Sequence, residues 1–348
     1  MENAFTPIHE VGEFGLIERL RSVLGAPSDD RLLLGIGDDA AVYRTGPGDL
    51  AQVVTTDALV EGIHFNPSFM PMNYLGFKAL SVNVSDVVAM NAKPRYATLA
   101  LGLPNHIPVE QVELLYEGLR RACDLYGVTL IGGDVAAARQ LTLAITAIGE
   151  ADAAHLAFRR GAQPGDLLCV TGDLGASLAG LKILLKQRRA LERLGDEFQP
   201  DFSAYRYVVE RHLTPTARLD AVRHWDERGV RPRALIDISD GLASEVHHLC
   251  RQSGCGAVLY AQALPVDVQT RQVADELEED VDTFALFGGE DYELLFALRE
   301  QDLDQLDDPF SQVIGRFTPA DEGVVLQTPS GETLSLDAGG YQHFGSGG

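Results

Sequence analysis

The sequence predicts a protein of two mixed α/β domains. Its 348 residues are enough for two domains of roughly 150 residues, each with its own core. Helical patterns alternate with short apolar runs typical of strands in both halves of the chain. A stretch rich in turn-forming residues, 159–166, separates the two halves. We therefore expect an N-terminal α/β domain of residues 1–158 and a C-terminal α/β domain of residues 159–348.

Apolar residues with helical spacing predict four helices. Two lie in the N-terminal half, over Phe77 to Val88 and over Val109 to Tyr126. Gly127 is a typical end for the second of them. Two more lie in the C-terminal half, over Leu174 to Leu185 and over Leu242 to Leu249.

Short apolar runs and strict alternation predict four strands. They cover residues 128–131, 141–145, 167–170 and 234–238. The first is expected to end at Gly132-Gly133-Asp134. Acidic residues thus recur where strands are expected to end, and this recurrence is the most informative feature of the sequence.

Charge excludes two classes of partner. With 28 Lys and Arg against 51 Asp and Glu, the formal net charge is −23. Binding to nucleic acid or to anionic lipid needs a basic surface, so neither is expected. No apolar run approaches the ~18 residues of a membrane span, and the N-terminus lacks a signal-peptide pattern. A cytoplasmic protein is expected.

Cysteine and histidine residues do not predict a disulfide framework or a zinc site. Four scattered cysteines form no C-x-x-C pair. Near Cys250 and Cys255, His247 and His248 are adjacent and would point about 100° apart on a helix. That geometry suits joint coordination of zinc poorly, so residues at a helix end are the simpler interpretation.

The recurring acidic segments indicate magnesium and phosphate. One such aspartate alone is best interpreted as a cap or turn residue. Several that converge would repel one another unless cations intervene, and oxygen ligands suit Mg²⁺. Protein-bound Mg²⁺ commonly also contacts substrate phosphates. The segments are Gly37-Asp38-Asp39, Thr55-Thr56-Asp57, 83–86, Gly132-Gly133-Asp134, 237–241 and 288–291.

The sequence does not contain a complete P-loop or a complete dinucleotide-binding motif. Gly175 and Gly180 have the P-loop interval, but Leu181 precedes Lys182 and no Ser or Thr follows. The segment 35–40 matches a loose Gly-x-Gly-x-x-Ala dinucleotide fingerprint. Its two aspartates would repel a bare pyrophosphate, and Gly46-Pro47-Gly48 interrupts the expected helix. No protein-kinase signature set is present either.

Taken in order, these motifs resemble the thiamine-monophosphate kinase family, which has the fold of aminoimidazole ribonucleotide synthetase. The resemblance extends from Gly12 to Phe344. It implies two mixed α/β domains of that type, a homodimer made through N-terminal strands, and transfer of the ATP γ-phosphate to thiamine monophosphate. The matching segments are 35–39, 55–57 through 62–65, 78–79, 83–86, 132–134, 237–241 and 288–293.

The resemblance also implies roles for individual residues. It assigns ligands of several Mg²⁺ ions to Asp39, Thr55, Thr56, Asp57, Asp86, Asp134, Asp237 and Asp240. It assigns ATP contacts to Tyr116, Gly133, Asp134, Arg159 and Ser239, with Arg160 as an alternative to Arg159. It assigns the acceptor contacts to His64, Glu290 and Tyr341; for the terminal aromatic, Ala338 occupies the alternative position.

The acceptor's chemistry suggests direct transfer. A phosphate monoester is already an anionic nucleophile, and no residue stands out as a paired nucleophile and base. Divalent ions would offset the repulsion between two phosphates and stabilise transition-state charge. Two alternatives stay open: another ATP-dependent enzyme of the same superfamily, and a non-catalytic acidic metal-binding protein. A selenophosphate synthetase is disfavoured because the first cysteine is Cys123.

Overall fold

Two β-sheets, each accompanied by helices, organise the chain. The computed structural model describes residues 6–25, 29–46, 48–195 and 199–339. Its helices are α1 (Ile8–Leu24), α2 (Met72–Ala89), α3 (Val109–Tyr126), α4 (Ala176–Leu194), α5 (Arg206–Leu213), α6 (Leu219–Arg228), α7 (Leu242–Ser253), α8 (Val268–Leu277) and α9 (Val281–Phe287). Its strands are β1 (Leu32–Leu34), β2 (Ala41–Arg44), β3 (Leu50–Val60), β4 (Lys93–Leu103), β5 (Thr129–Ala137), β6 (Thr142–Asp152), β7 (Leu167–Thr171), β8 (Ala234–Asp237), β9 (Gly256–Tyr260), β10 (Leu294–Leu298), β11 (Ser311–Thr318), β12 (Val324–Gln327) and β13 (Thr333–Ser335).

The first sheet has six strands in the order β1-β2-β3-β6-β4-β5. All neighbours are antiparallel except β4 and β5. On β3 and β6 buried and less buried residues alternate, which is typical of a sheet with only one face packed on a core. Helix α2 packs on the buried face, against β3, β4 and β6.

The second sheet has seven strands in the order β13-β12-β9-β11-β7-β10-β8. Among the described strands of this sheet, only β9 and β12 pair in parallel. Strands β7 and β10, and β8 at the end of this order, are buried along their whole length. This explains why they are continuous apolar runs without alternation.

Helix α2 lies between the two halves of the molecule. It contacts the first sheet on one side and β8, α5 and α6 on the other. Fourteen of its 18 residues are buried. A helix enclosed on all sides needs no polar face. The polar side chains buried on α2 are therefore candidates for a functional role.

The predicted helices and strands exist, with three differences. The helix predicted from Leu174 begins at Ala176. Strand β5 does not end at Gly132-Gly133-Asp134 but continues to Ala137, because its pairing with β4 extends through the glycines. The expectation that acidic residues follow strand ends is also wrong for Asp57, which lies within β3, whereas Asp86 lies within the helix predicted over Phe77 to Val88.

No helix in the described part of the chain combines the length and apolar character needed to span a bilayer. The segment that joins the two sheets, residues 153–166, contains the predicted domain boundary at 158/159. The boundary itself stays a prediction.

Helices α2 and α3 approach closely at glycines, and this contact provides a test of the fold. A Cβ atom on Gly118 would lie 1.9 Å from the carbonyl oxygen of Asn73. We expect Gly118→Ala to force the helices apart and to lower the free energy of unfolding by about 1–3 kcal/mol. Urea denaturation measures the change. The control Gly46→Ala, where a Cβ meets nothing within 4 Å, should stay within about 0.5 kcal/mol; equal effects of the two would contradict the close contact.

Candidate active site

A cleft of about 1610 Å³ contains most of the predicted site residues. The N-terminal half contributes the segment before β2, strand β3 and helix α2. The C-terminal half contributes the segments after β8 and before β10. The predicted residues in its lining are Asp39, Thr55, Thr56, Asp57, His64, Asp86, Arg159, Ser239, Asp240 and Glu290.

Three carboxylates from distant parts of the chain meet at this cleft. Asp39, Asp86 and Asp237 each place an oxygen within 4.8 Å of the others, a spacing that suits a shared metal ion. The Oγ1 of Thr55 donates to Oδ2 of Asp86 at 2.6 Å. The Oγ of Ser85 donates to Oδ2 of Asp237 at 2.5 Å. Side chains of β3 and α2 thus orient two of the three acids.

Asp39 carries an unused oxygen. Its Oδ1 accepts from Arg159, whose Nε lies at 3.0 Å and whose Nη2 also contacts it. Its Oδ2 is buried and has no hydrogen-bond partner among the described residues. A buried carboxylate oxygen without a partner is costly. A divalent cation among the three acids would supply that partner, so the donor set fits Mg²⁺.

Burial and mutual repulsion raise the pKa values of these acids. Burial is the larger cause for Asp86, followed by the charges of Asp57, Asp237 and Asp39, and its pKa is well above its ordinary value. Burial and the charge of Asp39 raise the pKa of Asp237 in the same way. For Asp38, burial and Asp39 raise the pKa to about 6, although Arg159 opposes them. The cluster therefore favours bound cations or protons.

The loop after β8 is held by a glutamate that the sequence analysis did not assign. Oε1 of Glu245 accepts from the backbone N–H of Asp240 at 2.8 Å and of Ser239 at 3.3 Å. Glu245 is 2% exposed, and burial together with the charge of Asp240 raises its pKa to about 7. The signal was available, because Glu245 lies in the first turn of the predicted helix α7.

Strand β3 presents predicted residues on both faces of the first sheet. Asp57 lies on the side of α2, where its N–H donates to Oδ1 of Asn83 at 3.0 Å. Thr56 lies on the opposite face, and its hydroxyl donates to the carbonyl of Ile145 at 3.0 Å. His64 follows the strand, and its Nδ1 accepts from the N–H of Val60 at 3.0 Å. A neutral His64 therefore carries its proton on Nε2.

Comparison with known proteins agrees with this geometry. Residues 37–151 match the family model "AIR synthase related protein, N-terminal domain", and residues 163–327 match its C-terminal counterpart. The thiamine-monophosphate kinase of Aquifex aeolicus is 36% identical over 97% of this chain and 99% of its own. That of Synechococcus elongatus is 37% identical over 97% and 98%. The chain belongs to the thiamine-monophosphate kinase family.

Solved structures support the same assignment. The structure of AaThiL complexed with AMPPCP and TMP has a TM-score of 0.83 and 33% identity, over 98% of this chain and all of the other. The hydrogenase maturation protein HypE in complex with ATP has a TM-score of 0.67 at 22% identity and shares the fold. The predicted architecture of two mixed α/β domains related to aminoimidazole ribonucleotide synthetase is therefore confirmed.

In this member of the thiamine-monophosphate kinase family, the loop of Glu290 is joined directly to the loop after β8. The N–H of Glu290 donates to the carbonyl of Ser239 at 2.7 Å, and that of Tyr292 donates to the carbonyl of Ile238 at 2.9 Å. A Cβ on Gly289 would lie 2.6 Å from the same Ser239 oxygen. Glycine is needed there for the two loops to touch.

Three predicted ATP contacts lie outside the cleft lining. Gly133 and Asp134 are on β5, the edge strand of the first sheet, and Tyr116 is on α3, with 39% of its surface exposed. Asp134 is in register with Ala58 through β4 and β6. Three strand spacings, about 14 Å, therefore separate the two residues. Within one chain these three do not join the carboxylate cluster, and their roles stay predictions.

The remaining predicted residues have different outcomes. Tyr341 lies outside the described residues, and Ala338, at the alternative position, is exposed. Arg160 also lines the cleft, and its guanidinium stacks over Phe158 at 5.4 Å. Arg159, not Arg160, makes the contacts with Asp39.

A buried histidine in the cleft wall gives a test by pH. Burial and Lys78 lower the pKa of His212 to about 4 from the ordinary 6.5, although Glu290 opposes them. Below about pH 6.5 the unfolded chain takes up a proton that the folded chain refuses. The free energy of unfolding is thus unaffected by His212 above about pH 6.5, and it decreases as the pH falls from about 6.5 to about 4. The loss amounts to about 3 kcal/mol.

We expect His212→Asn, which cannot titrate, to remove this part of the acid destabilisation. The measurement is the free energy of unfolding in urea at a series of pH values between about 7 and 4, with EDTA present. The control His106→Asn replaces an exposed histidine and should keep the wild-type slope. An unchanged slope in His212→Asn would show that His212 is not held neutral.

Proposed function

We propose that this protein is a thiamine-monophosphate kinase that transfers the γ-phosphate of ATP to thiamine monophosphate, giving thiamine diphosphate and ADP. The observation that carries the proposal is the meeting of Asp39, Asp86 and Asp237 within 4.8 Å at one cleft. Thiamine-monophosphate kinases about 36% identical over nearly the whole chain support it, as does the matching structure with AMPPCP and TMP. It is an ATP-dependent phosphotransferase.

We assign several Mg²⁺ ions to the acidic part of the cleft. The supporting observations are the three converging carboxylates and the partnerless Oδ2 of Asp39. Asp57 and Asp240 line the same cleft and would complete the oxygen ligands. When bound, the ions would neutralise phosphate charge and bridge phosphoryl oxygens.

The chain's own residues hold the two substrates for direct in-line transfer. The new bond joins a terminal oxygen of the monoester to the γ-phosphorus, while the bond from that phosphorus to the β–γ bridging oxygen breaks and ADP leaves. The monoester dianion needs no general base. Arg159 is held beside Asp39 by its Nε and Nη2, and its remaining N–H groups would be donors for phosphate oxygens. Main-chain hydrogen bonds between the loop after β8 and the loop of Glu290 fix Ser239 relative to Glu290. This fixed relation would give the alignment that transfer requires.

The part of the cleft next to α4, here called the acceptor part, suits an organic acceptor. Leu178, Leu181 and Leu185 of α4 line it together with His64 and Glu290. A thiamine moiety combines apolar ring faces with a positive charge and an amino group. Leucine side chains pack against ring faces, and the Glu290 carboxylate complements a cation or an N–H donor.

The deciding assay is release of ADP from ATP and Mg²⁺ with and without thiamine monophosphate. We expect turnover only when both substrates are present, with thiamine diphosphate as the second product. A metal-binding protein without activity would release no ADP, and turnover with a different phosphate acceptor alone would favour another activity of the superfamily. Labelled γ-phosphate trapped on the protein during turnover would contradict direct transfer.

Removal of one carboxylate from the cluster should abolish most of this activity. We expect Asp86→Asn and Asp240→Asn each to lower kcat by about 100-fold or more while the protein stays folded, because each removes charge that holds the cations. Steady-state kinetics and circular dichroism check both points. The control Asp304→Asn changes an exposed aspartate and should keep wild-type kcat. Unchanged turnover in both cleft variants would remove these residues from the site.

We further propose a homodimer in which the partner copy completes the nucleotide site. All residues of β5 except Leu130 are exposed, including Ile131 at 55% and Val135 at 62%. An exposed apolar edge strand is a template for pairing with another chain. Because Asp134 does not reach the cluster of its own chain, we propose that it serves the site of the other copy. We also retain the division at residues 158/159, and we place the enzyme in the cytoplasm, where ATP is supplied.

Mixed dimers test whether the site is shared. Asp134→Asn and Asp86→Asn should each be inactive alone. Co-expressed, they should recover about a quarter of wild-type turnover, because about half of the dimers are heterodimers with one intact site each. The matched control mixes Asp86→Asn with Asp240→Asn; both changes affect residues from the same copy, so neither site is restored. Absence of recovery in the first mixture would contradict a shared site.

A further inference from the structure

A fully buried lysine contacts a residue that lines the acceptor part of the cleft. Lys78 of α2 is 0% exposed. Its Nζ lies 2.7 Å from Oε1 of Glu290 and donates to the backbone carbonyl of His212 at 3.4 Å. Burying an ammonium group is costly unless it is paired. The pairing here joins a helix of the N-terminal half to two segments of the C-terminal half.

The second oxygen of Glu290 lies next to a histidine. Nδ1 of His212 lies 3.4 Å from Oε2 of Glu290 and 3.2 Å from Oγ of Ser177. The backbone of Glu290 has φ +64°, a conformation rare for residues other than glycine, and its N–H is bonded to Ser239. Lys78 therefore holds one carboxylate oxygen, His212 adjoins the other, and the main chain is fixed.

The carboxylate nevertheless remains accessible from the cleft. The Glu290 side chain is 28% exposed and lines the cleft with the leucines of α4. Burial alone would raise its pKa, but the charge of Lys78, with smaller contributions from His212 and His64, lowers it. The group is an oriented anion at the edge of an apolar wall.

A role in stability alone does not explain this arrangement. Replacing a buried ion pair by apolar side chains is often neutral or stabilising. Lys78 is also too enclosed to contact a substrate directly, so any effect on the acceptor must pass through Glu290. An oriented anion is useful where a ligand presents a positive charge or an N–H group at a fixed place.

We propose that Lys78 and His212 are positioning residues that hold Glu290 for recognition of the cationic, amine-bearing part of the acceptor. The inference rests on the proposed function, and it adds two residues to which no role in acceptor binding has been assigned. The three side chains form a clamp that spans both halves of the molecule. Loss of either support leaves the carboxylate free to turn away from the bound acceptor.

A double-mutant cycle tests the proposal by calorimetry with thiamine monophosphate in the presence of Mg²⁺ and AMPPCP. We expect Lys78→Met to raise the Kd for thiamine monophosphate about tenfold or more and to change the Kd for AMPPCP less than about twofold. In a Glu290→Gln background the same change should alter the Kd for thiamine monophosphate less than about twofold. The control Lys186→Met replaces an exposed lysine of α4 and should bind both ligands as the wild type does.

Other outcomes overturn the proposal. Tight acceptor binding by Lys78→Met, equal weakening of both ligands, or additive effects in the cycle would show that Lys78 does not act through Glu290. If Lys78→Met does not fold, the pair His212→Asn and His212→Leu decides. Asn keeps a donor near the position of Nδ1 and should rescue binding, whereas equal binding by both variants contradicts the clamp. A wild-type protein that neither binds thiamine monophosphate nor releases ADP with it would instead refute the proposed function.

Discussion

The repulsion among Asp39, Asp86 and Asp237 is the constraint around which the cleft is built. The three acids come from the segment before β2, from α2 and from the end of β8, yet they lie within 4.8 Å of one another. Arg159 offsets part of the charge at Asp39, and hydroxyl groups satisfy the other two. The raised pKa values of Asp86 and Asp237 show that this compensation is incomplete. Burial and mutual repulsion therefore still disfavour the charged forms of these acids.

Polar side chains of helix α2 contact several predicted site residues. Because it is enclosed by both halves of the molecule, each of its polar side chains needs a partner from a neighbouring element. Three of those partners are predicted site residues: Asn83 accepts from Asp57, Ser85 donates to Asp237, and Lys78 pairs with Glu290. A single helix thus orients groups at the acidic part of the cleft and at the acceptor part.

Sequence patterns predicted those features that depend on residues close together in the chain. The helices over Phe77 to Val88 and Leu242 to Leu249 follow from spacing, and the acidic segments indicated the cleft. The extension of β5 through Gly132-Gly133-Asp134 depends on pairing with β4, which no local pattern encodes. Lys78, although it lies in the segment 78–79 of the family resemblance, was given no role for a similar reason. An isolated lysine in an apolar helix signals buried charge, but its partner Glu290 lies more than 200 residues away.

The backbone contact between the loops of Ser239 and Glu290 links the chemistry at the two parts of the cleft. In-line transfer requires that donor and acceptor phosphates keep a fixed relation. Two main-chain hydrogen bonds, from Glu290 to Ser239 and from Tyr292 to Ile238, join the loop after β8 and the loop of Glu290 into one unit. Gly289 permits that contact because any side chain would strike the Ser239 carbonyl. The relative position of the two loops is therefore a property of the main chain, while the carboxylates of Asp39, Asp86 and Asp237 concentrate negative charge in the cleft.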